Sequence, residues 1–385
     1  MLHTSAPRRT LHSPLRYVDW TLPFVAIGVS VLGVFMNYSA TWRLLEFNGG
    51  DVLFFARRQA IFVVIGVGVM ALTALLDYRV LGEFHRQIYL GLLVALAAVL
   101  VFGREVQGAR AWFQLPGFQL QPAELGKIAL IVVLAAYASR SEGEMDLPAL
   151  VNSLMLAAAP MVLIFLENDI GTMLIYAAIV MGMLLVAGAR VTHIVVLTII
   201  GALVVLLVFN SSRLVGRDLL GERQQERLTA FLDQSSDQGQ ANYNLNQSQI
   251  ALGSGGLTGQ GWLQGTQTNL NLVPEQETDF IFTAVGEELG FLFGSLPLLI
   301  AYLFLMSRML AAARLAGELF GTLVVVGVLS MFLFQIFENL GMTMGIMPIT
   351  GIPLPFMSHG GSSVVTAFAA VGLVVNVRSR RFARA

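Results

Sequence analysis

The chain has 385 residues, of which 56% are hydrophobic and 12% charged, with a formal net charge of −1. Soluble domains carry about 25% charged residues, so a water-soluble globule of this size is excluded, and so is disorder, which needs low hydrophobicity and high charge. With no cysteine there is neither a disulfide framework nor a thiolate metal site, and the balanced charge gives no footprint for nucleic acid; the composition is that of an all-α integral membrane protein.

A membrane helix needs about 20 largely apolar residues. Ten candidates lie near 20–38, 59–76, 88–103, 124–138, 150–166, 170–188, 192–209, 280–306, 320–340 and 361–377. Arg8, Arg9 and Arg16 precede the first, in the manner of a signal peptide. That run is long and ends in Asn37-Tyr38-Ser39 without a small-residue cleavage site, so it reads as a retained helix. The fourth candidate is short and carries Glu124 and Lys127 in its first turn, which leaves open an interfacial or half-inserted helix.

Arginine placement predicts the orientation. With both termini cytoplasmic, 13 arginines fall inside (Arg79, Arg140, Arg190, Arg308 and Arg378 among them) and 5 in short outer loops (Arg43, Arg57, Arg58, Arg104 and Arg110). The remaining four, from Arg213 to Arg227, lie in a long outer loop, where the rule has little force. The whole chain, 1–385, reads as one polytopic domain with this long outer loop at 210–279.

The loop opens with a mixed charged and apolar stretch, Arg213 to Phe231, which predicts a helix at the membrane surface. A polar stretch, Asp233 to Gln249, follows, and then the glycine-rich run Gly253 to Gly261. That run fits no nucleotide-binding spacing. Trp262, Leu263, Leu270, Leu272 and Val273 favour a loop packed on the protein over a flexible linker. Between the ninth and tenth candidates, Gly341 to Ser363 holds Pro348, Pro353 and Pro355 but no Asp, Glu, Lys or Arg. Irregular backbone at membrane depth survives only where protein or a water-filled cavity satisfies it. This segment is therefore expected to be re-entrant and to line an outward cavity, the alternative being an ordinary apolar surface loop.

Ionisable residues in or beside spans are pointers to function. Glu124 and Lys127, the only lysine, share a helix face. Either they pair for stability, or Lys127 faces an anionic ligand with Glu124 holding it. Asp169 follows Glu167-Asn168 and precedes Gly171-Thr172, where it is placed to cap the sixth helix. Gln335, Glu338 and Asn339 share a face of the ninth candidate, which suits interhelical hydrogen bonds. The densest group runs from Pro274 through Glu275, Glu277 and Asp279 to Glu287 and Glu288. Carboxylates entering a membrane together need cations, protons or a metal, and crowding by like charge suits general-base work. The five histidines show no metal-ligand spacing.

Six stretches carry a resemblance that spans nearly the whole chain: Gly108-Ala109-Arg110-Ala111-Trp112; Gln121-Pro122-Ala123-Glu124-Leu125-Gly126-Lys127; Asp169-Ile170-Gly171-Thr172; Gly261-Trp262-Leu263-Gln264-Gly265-Thr266-Gln267; Pro274 to Gly290; and Asn339 to Ser363. Together they resemble the SEDS family of bacterial cell-wall proteins. The Gly261–Gln267 run and Ile352-Pro353-Leu354-Pro355 favour its elongation (RodA) branch over its division (FtsW) branch. The resemblance implies a ten-span glycosyltransferase of the bacterial cytoplasmic membrane that polymerises lipid II on the outer face. It places the family's essential aspartate on Asp279 and its paired acid and lysine on Glu124 and Lys127. The leaving group is a prenyl diphosphate, for which Lys127 and Arg110 are the candidate cations. Asp169, Ser358 and Gly360 complete the expected substrate-binding set. A divalent cation (Mg or Mn), a class B penicillin-binding protein and other elongation-complex membrane proteins are implied as cofactor and partners. Two positions depart from the family pattern: Glu167-Asn168 stand where Gln-Pro is usual, and His359 stands where Tyr is usual. A lipid flippase or transporter, or a non-catalytic scaffold, remains the alternative that the residues by themselves leave open.

Overall fold

The computed structural model describes residues 18–106, 108–115, 117–140, 145–209, 221–234 and 239–381. Helices occupy all ten predicted positions. They are α1 (Thr21–Phe47), α2 (Phe54–Leu75), then after the short α3 (Tyr78–Glu83), α4 (His85–Phe102), α5 (Pro122–Ala138), α6 (Leu147–Leu166), α7 (Ile170–Val186) and α8 (Val191–Phe209). The long connection contributes α9 (Glu222–Leu232), α10 (Gln240–Gly255) and the one-turn α11 (Thr266–Asn269). The eighth position holds α12 (Ile281–Gly290), which passes through a π-turn, Phe291–Ser295, into α13 (Leu296–Leu315); α14 (Leu319–Thr343) and α15 (Gly361–Ser379) follow.

Among the described residues, seven segments are long and apolar enough to cross a membrane: α1, α2, α4, α6, α12–α13 taken together, α14 and α15. α5 and α7 are shorter, at 17 residues each. α5 is enclosed by its neighbours. Leu130, Ile131, Val133 and Leu134 are buried together on all sides of the helix, the pattern of a helix inside a bundle. A helix screened by its neighbours tolerates both a short length and two charged residues.

Small residues let the helices approach closely. α2 and α15 form the most extensive pair. A Cβ at Gly66 would collide with the Phe368 ring, and one at Gly372 with the Met70 carbonyl. Asn376 and Thr73 tie the same pair, with Asn376 Nδ2 donating to the Thr73 carbonyl at 2.7 Å. One end of the bundle is closed by ion pairs. Asp19 joins Arg308 at 2.7 Å and also Arg378, while Arg79 reaches Glu318 at 3.0 Å.

The other end carries everything that the motifs pointed to. One feature there departs from the all-helical expectation. Arg104–Val106, Ala109–Leu115 and Phe118–Leu120 form a small antiparallel sheet, β1-β2-β3, between α4 and α5. The glycine-rich run is not a flexible linker. Gly256 and Leu257 accept hydrogen bonds from Phe291 and Leu292, and Gln260 and Gly261 donate to the Glu287 and Glu288 carbonyls. The run thereby satisfies the backbone where α12 breaks into its π-turn, which is what membrane depth requires. Part of the predicted surface helix, 213–220, lies outside the described residues; the rest largely is α9, and the polar stretch after it largely belongs to α10. Both helices pack on the bundle through a second apolar core that joins Ala230, Leu245 and Val273 to Phe280, Met342 and Ile349.

Candidate active site

A cavity of about 1430 Å³ opens at this end, walled by α6, α7, α8, α9, the small sheet, the 275–279 turn and the 348–353 segment. The segment between α14 and α15 is irregular; its residues 354–358 are buried, and its Pro348 to Pro353 form cavity wall. Packing holds it rigidly. A Cβ at Gly33 of α1 would lie 2.8 Å from the Met357 carbonyl, and one at Gly171 of α7 would lie 2.8 Å from the Thr350 carbonyl. Phe356 sits at φ 67, a left-handed conformation costly for a bulky residue. It is clamped between Phe332 and Phe368, with ring centroids 5.5 and 5.3 Å away.

Asp279 stands on the cavity wall at the turn into α12. Its amide donates to the Glu275 carbonyl at 3.0 Å, and its own carbonyl accepts from Asn339 Nδ2 at 2.8 Å. The turn is pinned from below by Gln276, which is buried and donates to the hydroxyls of Thr268 and Thr283, both at 3.0 Å. Burial pushes the Asp279 carboxyl up to about 6; the nearby Arg227 guanidinium works against this, whereas Glu275 and Asp169 add to it. Glu277, on the same turn, is also raised, chiefly by burial.

The other sequence-predicted residues divide. Asp169 lines the cavity and caps α7 as well. Its Oδ1 accepts from the Thr172 amide at 2.9 Å, and its Oδ2 from Thr172 Oγ1 and Gln121 Nε2, both at 2.7 Å. Glu124 and Gly360 are on the wall too. Lys127 is not. It is 1% exposed and bonded to Glu124 Oε2 at 2.7 Å, beneath the cavity floor. Ser358 is buried behind the wall, where its Oγ accepts from the Leu354 amide at 2.8 Å and its carbonyl from Gln59 Nε2. Arg110 is exposed and absent from the wall; its guanidinium extends toward the Leu100 carbonyl.

Glu287 and Glu288 lie away from the cavity and do not need a metal or a cation. Glu287 accepts from the amides of Gln267 and Thr268 and from Thr268 Oγ1, which latches α11 onto α12. Glu288 accepts from Ser39 of α1 at 2.6 Å. Glu167 is buried, and neither of its carboxyl oxygens accepts a hydrogen bond. Burial, with Asp169 nearby, pushes it up to about 8.

The cations that do face the cavity are ones the motifs do not single out: Arg58 of α2, and Arg223 and Arg227 of α9. The i, i+4 spacing of the last two was a signal in the sequence, obscured because the stretch read as a membrane-surface helix. Arg58 is held by the sheet through the Gly117 carbonyl, at 3.0 Å. Among the described residues, no three His, Cys, Asp or Glu side chains converge closely enough to hold a metal ion. Away from these polar groups the cavity becomes apolar between α6, α7 and α8, where Met161, Leu174, Met181, Leu197 and Ile200 form its sides.

The family model for cell cycle proteins of the FtsW/RodA/SpoVE type matches residues 19–382. The probable peptidoglycan glycosyltransferase FtsW of Geobacter metallireducens is 32% identical over 366 residues, covering 94% of this chain and 95% of that one. The peptidoglycan glycosyltransferase MrdB of Escherichia coli is also 32% identical over 366 residues, covering 95% and 94%. Among solved structures, a chain of a peptidoglycan synthase complex that coordinates polymerization and crosslinking superposes with a TM-score of 0.77 at 29% identity, over 95% of this chain and 99% of that one. The rod shape determining protein RodA of Thermus thermophilus gives 0.69 at 28%, over 95% and 98%. The match runs from the first helix to the last, and this multi-pass bacterial membrane protein belongs to the FtsW/RodA/SpoVE family, the SEDS family.

Proposed function

We propose that this chain is a peptidoglycan glycosyltransferase that polymerises lipid II, with Asp279 as the general base. A sugar hydroxyl of one lipid-linked disaccharide attacks the anomeric carbon of a second lipid-linked glycan. The new C–O bond forms as the bond to the prenyl diphosphate breaks, and the hydroxyl proton passes to the carboxylate. A base within hydrogen-bond reach whose pKa lies near the working pH accelerates such a step. The observation that carries the reading is the position of Asp279: a carboxylate raised to about 6 on the wall of a cavity whose far side is an apolar slot between helices. Such a slot suits a prenyl chain, because the tail stays in apolar surroundings while the sugar meets the base.

The arginine distribution favours both termini in the cytoplasm, which faces the cavity outward, where polymerisation takes place. The Gly261–Gln267 and Ile352–Pro355 sequences favour a role in elongation over one in division. Likeness to a chain of a synthase complex supports a class B penicillin-binding protein as partner. The deciding experiment is polymerisation of purified lipid II in detergent. The wild-type chain makes glycan and Asp279→Asn does not, although it is produced and folded normally. An Asp279→Asn variant that polymerises at the wild-type rate overturns the base assignment, and a wild-type chain that makes no glycan even with its partner present favours a flippase.

A further inference from the structure

The polymerisation reading leaves one requirement unmet. Negative charge grows on the departing diphosphate, and a cation must meet it in a water-poor site. Lys127 is closed off by Glu124 and Arg110 lies off the wall. We propose that α9 carries the diphosphate site, with Arg223 and Arg227 binding the two phosphates of the prenyl diphosphate and holding the leaving group beside Asp279; this inference rests on the polymerisation reading.

Four observations support it. First, Arg223 and Arg227 stand four residues apart and both line the cavity, as do Gln224 and Leu228 of the same helix, so one face of α9 forms a wall with two guanidinium groups in series. Second, neither arginine is paired with a carboxylate of the described residues. Arg227 spends one contact on the protein, from Nη1 to the Thr350 carbonyl at 3.3 Å, which leaves the rest of its planar fork of donors for an anion. Guanidinium groups match phosphate in a bidentate geometry that lysine cannot reproduce. Third, α9 is tethered at separate points. Gln224 Nε2 donates to the Asn168 carbonyl at 2.6 Å, Glu226 Oε1 accepts from the Ala241 amide at 3.1 Å, and Ala230 is buried in the second core. The arginines are presented by a docked helix and not by a loose arm. Fourth, the distances suit one reacting centre. A Cβ at Gly351 would lie 3.2 Å from Asp279 Oδ2 and 3.3 Å from Arg227 Nη1, so base and cation flank the same glycine. The apolar slot between α7 and α8 runs into the same cavity, and Leu197, Ile200 and Val204 of α8 line it. A diphosphate on α9 can therefore keep its prenyl chain in that slot.

The test uses the purified full chain in detergent and measures direct binding of undecaprenyl diphosphate and undecaprenyl monophosphate. The wild type is expected to prefer the diphosphate by about tenfold or more, the scale of one added bidentate phosphate contact. Arg223→Gln/Arg227→Gln is expected to lose that preference while still binding the shared prenyl chain. Arg223→Lys/Arg227→Lys, which keeps the charge without the fork, is expected to fall between. Inorganic diphosphate, but not inorganic phosphate, is expected to displace the lipid from the wild type. Undiminished preference in the folded Gln double variant overturns the site, as does equal binding of both lipids by the wild type. Either result would leave the polymerisation reading standing, because that reading is judged by the activity of Asp279→Asn.

Discussion

Asn339 on α14 donates through its one amide nitrogen to two backbone carbonyls, those of Asp279 and Ile352, each at 2.8 Å. A single buried side chain thus fixes the proposed base and the re-entrant segment relative to each other. Asn339→Ala leaves two carbonyls short of a donor, at a cost of about 1–3 kcal/mol for each buried group. The larger effect is expected on turnover, since misplacement of a reacting group by about 1 Å is worth up to roughly a hundredfold. Steady-state kinetics on lipid II should show kcat falling and KM nearly unchanged, with the pH midpoint kept. An unaltered kcat would remove the positioning role.

Acidity is the second test. Asp279 acts only when ionised, and its carboxyl titrates near about 6. Activity is therefore expected to be full above that value and to fall as the pH drops through it. The groups that act on Asp279 include Arg227, Glu275, Thr278 and Asp169, and Glu277 on the same turn interacts with it. Arg227 stabilises the charged form, so Arg227→Gln should move the midpoint to higher pH, whereas Glu275→Gln should move it lower. A pH–rate profile of kcat/KM checks both directions, and a flat profile through pH 6 is the adverse result.

Gly351 separates the two charged groups, at φ 75. An alanine there must adopt the left-handed conformation, at about 1–2 kcal/mol. Its methyl would also press on Asp279 Oδ2 and Arg227 Nη1. Gly351→Ala is expected to lose most polymerase activity with only a modest drop in Tm. A fully active variant would show that the pocket has more room than these distances allow.

The Lys127–Glu124 pair gives a fourth prediction. Removing one partner of a buried ion pair typically costs about 3–5 kcal/mol, whereas replacing both with apolar groups is often neutral. Lys127→Met is expected to lower the Tm sharply in detergent, and Lys127→Met/Glu124→Leu to recover much of it. A Lys127→Met chain with unchanged Tm and no activity would instead return Lys127 to the substrate.

Most of the helices were legible in the sequence because an apolar run of membrane length has few other solutions. The position of Asp279 was equally legible, at the junction of a polar loop and an apolar run. The small sheet was not, because Arg104 to Leu120 is too short and mixed to show a period. Nor was the division among the carboxylates. Glu287 and Asp279 look alike in sequence, yet one accepts backbone amides of α11 and the other faces a cavity.

By itself the sequence determined the solvent of this protein and the places where its backbone could cross it, since hydropathy and helix length are properties of contiguous residues. It also determined which end of the bundle holds the unusual charges. Only the tertiary structure decided which of those charges meet. Burial of Lys127 on Glu124, the turning aside of Arg110, the arrival of Arg227 beside Asp279 and the placing of Arg223 on the same cavity wall depend on how distant segments pack. Whether a charge is paired, hydrogen-bonded or left facing a cavity is set by neighbours that lie far away along the chain.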